Sequence, residues 1–162
     1  MKSICHSDKG GVREWKNEDG SYHRVDGAAV EADGYKFWYI NGKRHREDGP
    51  AIEYAYGYKA WYLNGALHRV DGPAIEYADG YKEWYINGKL HREDGAAIEY
   101  ANGDKAWYIN GKLHRVDGPA IEYAYGYKAW YLNGVKYNEK EYYKELYKRG
   151  LISKVELLVE LI

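Results

Sequence analysis

The chain has 162 residues, 24 of them Lys or Arg and 25 Asp or Glu, for a formal charge of -1. That length holds one domain with a real core and leaves little room for two, and the charge balance gives no electrostatic reason to expect nucleic acid or an anionic membrane as partner. Twenty tyrosines against one phenylalanine suit a surface packed on one side and wet at its rim, because tyrosine buries a ring and keeps a hydroxyl at the boundary.

The opening MKSICHSDKGG contains no apolar stretch fit for a signal peptide, and no run approaches the ~20 residues of a membrane span. A single Cys5 makes neither an internal disulfide nor a zinc site. These features predict a soluble, cytoplasmic protein without metal or cofactor.

Trp15, Trp38, Trp61, Trp84, Trp107 and Trp130 follow one another at intervals of 23 residues, the mark of an array whose units pack on their neighbours. Residues 45–65 match residues 114–134 except for Glu47 against Val116. The first unit is irregular, with one extra residue between Trp15 and His23 and one fewer between His23 and Trp38. Each later unit carries Asn-Gly, beginning at Asn41-Gly42, and a second turn pair that reads Asp33-Gly34, Tyr56-Gly57, Asp79-Gly80, Asn102-Gly103 and Tyr125-Gly126. Asn-Gly and Asp-Gly accept the positive φ of two-residue hairpin turns, and the stretches between are rich in Tyr, Trp and Ile. The expected fold is all-β: an elongated, single-layer antiparallel meander of repeated β-hairpins.

A two-residue turn at Tyr56-Gly57 sets Ile52 opposite Trp61 and Tyr54 opposite Lys59, and one at Asn64-Gly65 sets Trp61 opposite His68. Alternation then gathers Ile52, Trp61, Leu63 and His68 on one face, with Trp, Ile and Leu as the core side. Ala51, Glu53, Ala60, Tyr62 and Arg69 fall on the other. In the same register Lys36 faces Glu47 and Lys82 faces Glu93. From Asn138 the texture turns helical. Asn138 with Glu141, and Ser153 with Glu156, are capping patterns; Tyr142, Tyr143, Leu146 and Tyr147, then Leu158, Leu161 and Ile162, supply apolar faces, and Gly150 stops the first helix. This divides the chain into a repeat array over residues 1–137 and a small C-terminal helical cap over residues 138–162 that covers the open sheet edge.

With Trp, Asn-Gly, His and Gly placed as in WYLNGALHRVDGPA, residues 15–134 resemble a MORN-type repeat array in a 23-residue variant form. The resemblance implies a single-layer sheet of successive hairpins and a scaffold or partner-binding role, often through an aromatic groove that receives a helix or peptide. Similar variants occur in bacterial proteins named as antitoxins and in phage and viral proteins. The chain departs from the common MORN pattern in having Arg after His and Asp before the next Gly. The segment KxWYxNG is also similar to choline- and glucan-binding repeats, but the His-Arg-x-Asp-Gly-Pro half is foreign to them.

Tyr39, Tyr62, Tyr85, Tyr108 and Tyr131 each follow a Trp, point away from it across the sheet, and form the expected protein-binding strip, with self-association left open. The alternative is a small anionic or nucleotide ligand held by His45, Arg46, His68, Arg69, His91, Arg92, His114 and Arg115, with guanidinium forks on phosphate. The competing structural reading is that each His packs on its Trp and each Arg pairs with a nearby carboxylate. Histidines spread along an array do not converge on a metal. The pattern breaks, Asp104, Ala28, Ala96 and Glu83, build no catalytic constellation, so no enzyme is expected.

Overall fold

The computed structural model describes residues 4–160; residues 1–3, and Leu161 and Ile162 of the last apolar face, lie outside the described residues. The chain divides into two compact units, one up to Lys89 and one from Leu90 on. Each is an antiparallel meander of short hairpins, and the second ends in two short helices, α1 (Glu139–Lys148) and α2 (Lys154–Glu160). No helix among the described residues is long and apolar enough to cross a membrane.

The Asn-Gly turns form as expected. Asn41, Asn64, Asn87, Asn110 and Asn133 have φ between 48° and 52°, and each following Gly is also positive. Two successive positive φ angles give the turn whose twist matches that of the strands it joins. Tyr62 accordingly pairs with Leu67 and Leu63 with Ala66.

The second turn corrects the expected register. Ile52 pairs with Ala60 and Glu53 with Lys59, so Ala55-Tyr56-Gly57 is a three-residue loop. Tyr54 N donates to Tyr58 O at 3.0 Å and Gly57 N to Tyr54 O at 2.9 Å, with Gly57 at φ 96°. This is the loop in which a left-handed glycine completes a bulge. The same bonds recur at Tyr77 with Tyr81, Tyr100 with Asp104, and Tyr123 with Tyr127. Asp33-Gly34 does make the two-residue turn, since Ala32 pairs with Tyr35. The residue missing from the first unit is therefore the extra residue of the later loops.

That shift of one position redistributes the faces. Ile52, Tyr54, Tyr58 and Ala60 now share a side, and by alternation Tyr62 joins them. Glu53, Lys59 and Trp61 lie on the other. Lys36 stands between Glu31 and Glu53 instead of facing Glu47, and Lys82 faces Glu76 instead of Glu93. Charges alternate in sign from strand to strand along Glu31, Lys36, Glu53, Lys59, Glu76 and Lys82 in the first unit. The second unit repeats this along Glu99, Lys105, Glu122 and Lys128. Such opposite-charge neighbours are worth roughly 0.2–1 kcal/mol each.

The core differs from expectation in part: Ile52 and Ile98 are buried as expected, but the tryptophans are not. Its recurring members are alanines: Ala29, Ala51, Ala74, Ala97 and Ala120 are all 0% exposed, whereas every Trp is only half-buried. Backbone contact explains the preference, because the Trp N–H donates directly to the alanine carbonyl, as from Trp61 to Ala74 at 2.8 Å. A small side chain lets two strands meet there.

Larger side chains are fully buried in the cap, where Leu132, Tyr142 and Leu146 pack with Trp130, Tyr137, Tyr143 and Ile152. By the repeat count Tyr137 stands where His is due and Asn138 where Arg is due. Asn138 instead caps α1, its side chain accepting from Glu141 N at 2.9 Å. Ser153 and Glu156 form the reciprocal capping box, Ser153 N donating to Glu156 Oε2 and Glu156 N to Ser153 Oγ.

Candidate functional site

On the Trp side, the His-Arg-x-Asp-Gly segment folds into a clip. Arg69 lies over the Trp61 ring, 4.0 Å from its centroid. Its Nε donates to Asp71 at 3.0 Å, and its Nη1 donates to the Pro73 carbonyl at 3.2 Å and to Glu76 at 2.9 Å. Arg24, Arg46, Arg92 and Arg115 make the same set of bonds to the Asp, carbonyl and Glu of their own units. The glycine lets the fork approach closely: a Cβ on Gly72 would sit 2.9 Å from the Arg69 guanidinium carbon and displace it from this position. Where Ala28 or Ala96 replaces Pro, the carbonyl serves equally well. The guanidinium bond holds Asp26, Asp48, Asp71 and Asp94 below the usual carboxylate range.

The histidines stitch consecutive units together. His23, His45, His68, His91 and His114 each accept, at Nδ1, the backbone N–H of the next unit's turn Asn at 3.0–3.2 Å. The N–H of the turn Gly goes to the preceding hairpin, as from Gly88 to Leu67 O at 2.8 Å. Among the described residues no three His, Cys, Asp or Glu side chains converge as metal ligands.

Opposite the clips lies the tyrosine side. Tyr39, Tyr62, Tyr85, Tyr108 and Tyr131 are all half-buried, and their carbonyls accept the backbone N–H of Arg24, Arg46, Arg69, Arg92 and Arg115. The more exposed rings are others: Tyr56 at 66%, Tyr125 at 77%, and Tyr77, Tyr100 and Tyr127 at 42–45%. These belong to the three-residue loops and their flanks. In the first unit the rings touch in sequence, Phe37 to Tyr54 at 5.4 Å, Tyr54 to Tyr58 at 5.9 Å, Tyr58 to Tyr77 at 4.7 Å and Tyr77 to Tyr81 at 5.5 Å. In the second, Tyr123 contacts Tyr125 and Tyr127, both at 5.3 Å.

The two tyrosine rows meet at Tyr58. Burial, followed by the neighbouring Tyr62 and Tyr77 phenols, raises its hydroxyl to about 12. Sequence reasoning found the Tyr62 row and missed the Tyr58 row, whose side is set by the loop length. The shortened first unit was the available signal. Of the pattern breaks, Asp104 accepts the Ala124 N–H at 2.7 Å, and Glu83 accepts a bond from the Tyr81 hydroxyl. Both are thereby tied into the fold.

In comparisons with known proteins, no family model matches the chain and no curated protein matches it.

Proposed function

We propose that this chain is a non-catalytic, MORN-like repeat protein of the cytoplasm that engages another protein through its tyrosine-rich side, as an antitoxin or a viral inhibitor does. The observation that carries this reading is the run of touching rings from Phe37 to Tyr81, each within 6 Å of the next. Rings held by neighbouring rings lose little entropy on binding, and each offers apolar area with a polar tip, which is what protein interfaces use. The half-buried Tyr62 row lies on the same side, and the exposed Tyr56, Tyr77 and Tyr125 offer the first contacts.

The anionic-ligand alternative has no comparable support. The guanidiniums it would use are bonded to carboxylates of their own units. The test is capture of a partner from lysate of the source cells on the immobilised chain, repeated with a Tyr56→Ser, Tyr77→Ser, Tyr125→Ser variant. Loss of the captured protein with an unchanged circular dichroism spectrum supports the reading; equal capture by the variant refutes it.

A further inference from the structure

The Trp side carries a repeated groove that the proposed tyrosine interface does not use. Between successive clips lie open cavities of about 700 and 590 Å³ in the first unit and about 770 Å³ in the second. Their linings correspond: Trp38, Ile40 and His45 in one, Trp61, Leu63 and His68 in the next, Trp107, Ile109 and His114 in the third. Each is bordered by the x-Asp-Gly segments of two successive clips.

Charge is sorted by depth in these grooves. The clip arginines expose only 19–22% of their side chains, while the rim carboxylates Asp26, Asp48, Asp71, Asp94 and Asp117 expose 77–85%. Each guanidinium is bound to an Asp and also to a Glu, and that Glu in turn faces Lys on the neighbouring strands, so the clip by itself is close to neutral. The variable position adds to this: Glu47 and Glu93 expose 86% and 85% of their side chains, and Val25 and Val70 project to a similar degree. An apolar floor beneath a carboxylate rim disfavours an anion, and an apolar peptide there would desolvate Glu47 or Glu93, which lie outside the Arg bonds. A cation on an aliphatic stem meets both demands, its methylenes against Trp and Leu or Ile and its charge among the Asp and Glu groups.

We propose that the clip side receives a lysine-rich, extended segment of a partner protein, one cationic side chain to a groove. Single contacts at such exposed sites are weak and salt-screened, and repetition supplies the affinity. The assignment is independent of the tyrosine side.

The test is fluorescence anisotropy of a labelled oligolysine peptide titrated with the full chain at low salt, against oligoglutamate of equal length. With the chain's net charge at only -1, non-specific attraction is small, so saturable binding of oligolysine that weakens with salt is the expected result. Glu47→Gln with Glu93→Gln, positions outside the Arg bonds, weakens it roughly fivefold, and Val70→Glu strengthens it. Each of four results overturns the proposal: no saturable binding; equal binding of oligoglutamate; affinity unchanged in the Glu47→Gln, Glu93→Gln variant; or loss of binding in Tyr56→Ser, Tyr77→Ser. Concentration-dependent self-association abolished by the Glu47→Gln, Glu93→Gln pair would assign the grooves to a second copy of the chain and equally overturn it.

Discussion

His68 accepts at Nδ1 a hydrogen bond from the backbone N–H of Asn87, 3.2 Å away and 19 residues further on. The recurring His is thus the acceptor that anchors the next hairpin turn, and its second neighbour, the Gly88 N–H, is anchored on Leu67 O. His68→Ala leaves one turn donor without its partner and lowers unfolding free energy by ~1–2 kcal/mol, read by urea denaturation.

The same geometry sets an acid limit. Burial, and then the nearby Arg149 charge, lower the His114 pKa from its ordinary 6.5. Between that lowered value and 6.5 the unfolded chain binds the proton and the folded chain does not, so stability falls as pH drops through this window. Melting temperature is expected to decline as pH drops below about 6.5, and His114→Gln reduces the slope.

Arg69 holds four groups at once: the Trp61 ring, Asp71, the Pro73 carbonyl and Glu76. Lysine cannot reproduce that planar fork. Arg69→Lys is therefore destabilising by ~1–3 kcal/mol, and the loss of the stacked guanidinium alters the tryptophan emission of the folded state.

At the C-terminal end, the Tyr142 hydroxyl donates to the Arg115 carbonyl at 2.7 Å, and Leu146 is fully buried beside Leu132. Leu146→Ala costs ~2–5 kcal/mol through the cavity it leaves, and Tyr142→Phe ~1–2 kcal/mol through loss of the bond to the Arg115 carbonyl and of the weaker one accepted from the Gly118 N–H. Hydrogen exchange in residues 128–137 reports the damage, because α1 packs on that hairpin.

Much of this fold is legible in the residues. The Trp period, the Asn-Gly turns and the caps at Asn138 and Ser153 are local signals, and each depends on contacts within a few residues. The register at Tyr56-Gly57 is not local in this way, since Gly at the last loop position fits two-residue and three-residue loops alike. Only the alignment with the shortened Asp33-Gly34 unit separates them. The Arg69–Glu76 bond joins side chains seven residues apart that no regular strand or helix brings together, so it emerges only once the Asp-Gly-Pro bend is known. The alanine core is similarly hidden, because alanine's value there lies in how closely two backbones approach.

The central claim is that capture of the partner proposed above falls to the tyrosine side, while the Arg–Trp clips hold the fold and the grooves between them are a separate site. It is tested most directly by measuring the affinity of the captured partner by calorimetry for the wild type, for Tyr56→Ser, Tyr77→Ser, Tyr125→Ser and for Arg69→Lys. The account predicts at least a tenfold loss for the tyrosine variant, equivalent to about 1.4 kcal/mol, and unchanged affinity for Arg69→Lys at a temperature where it remains folded. Unchanged affinity in the tyrosine variant, with the loss falling on Arg69→Lys instead, would contradict it.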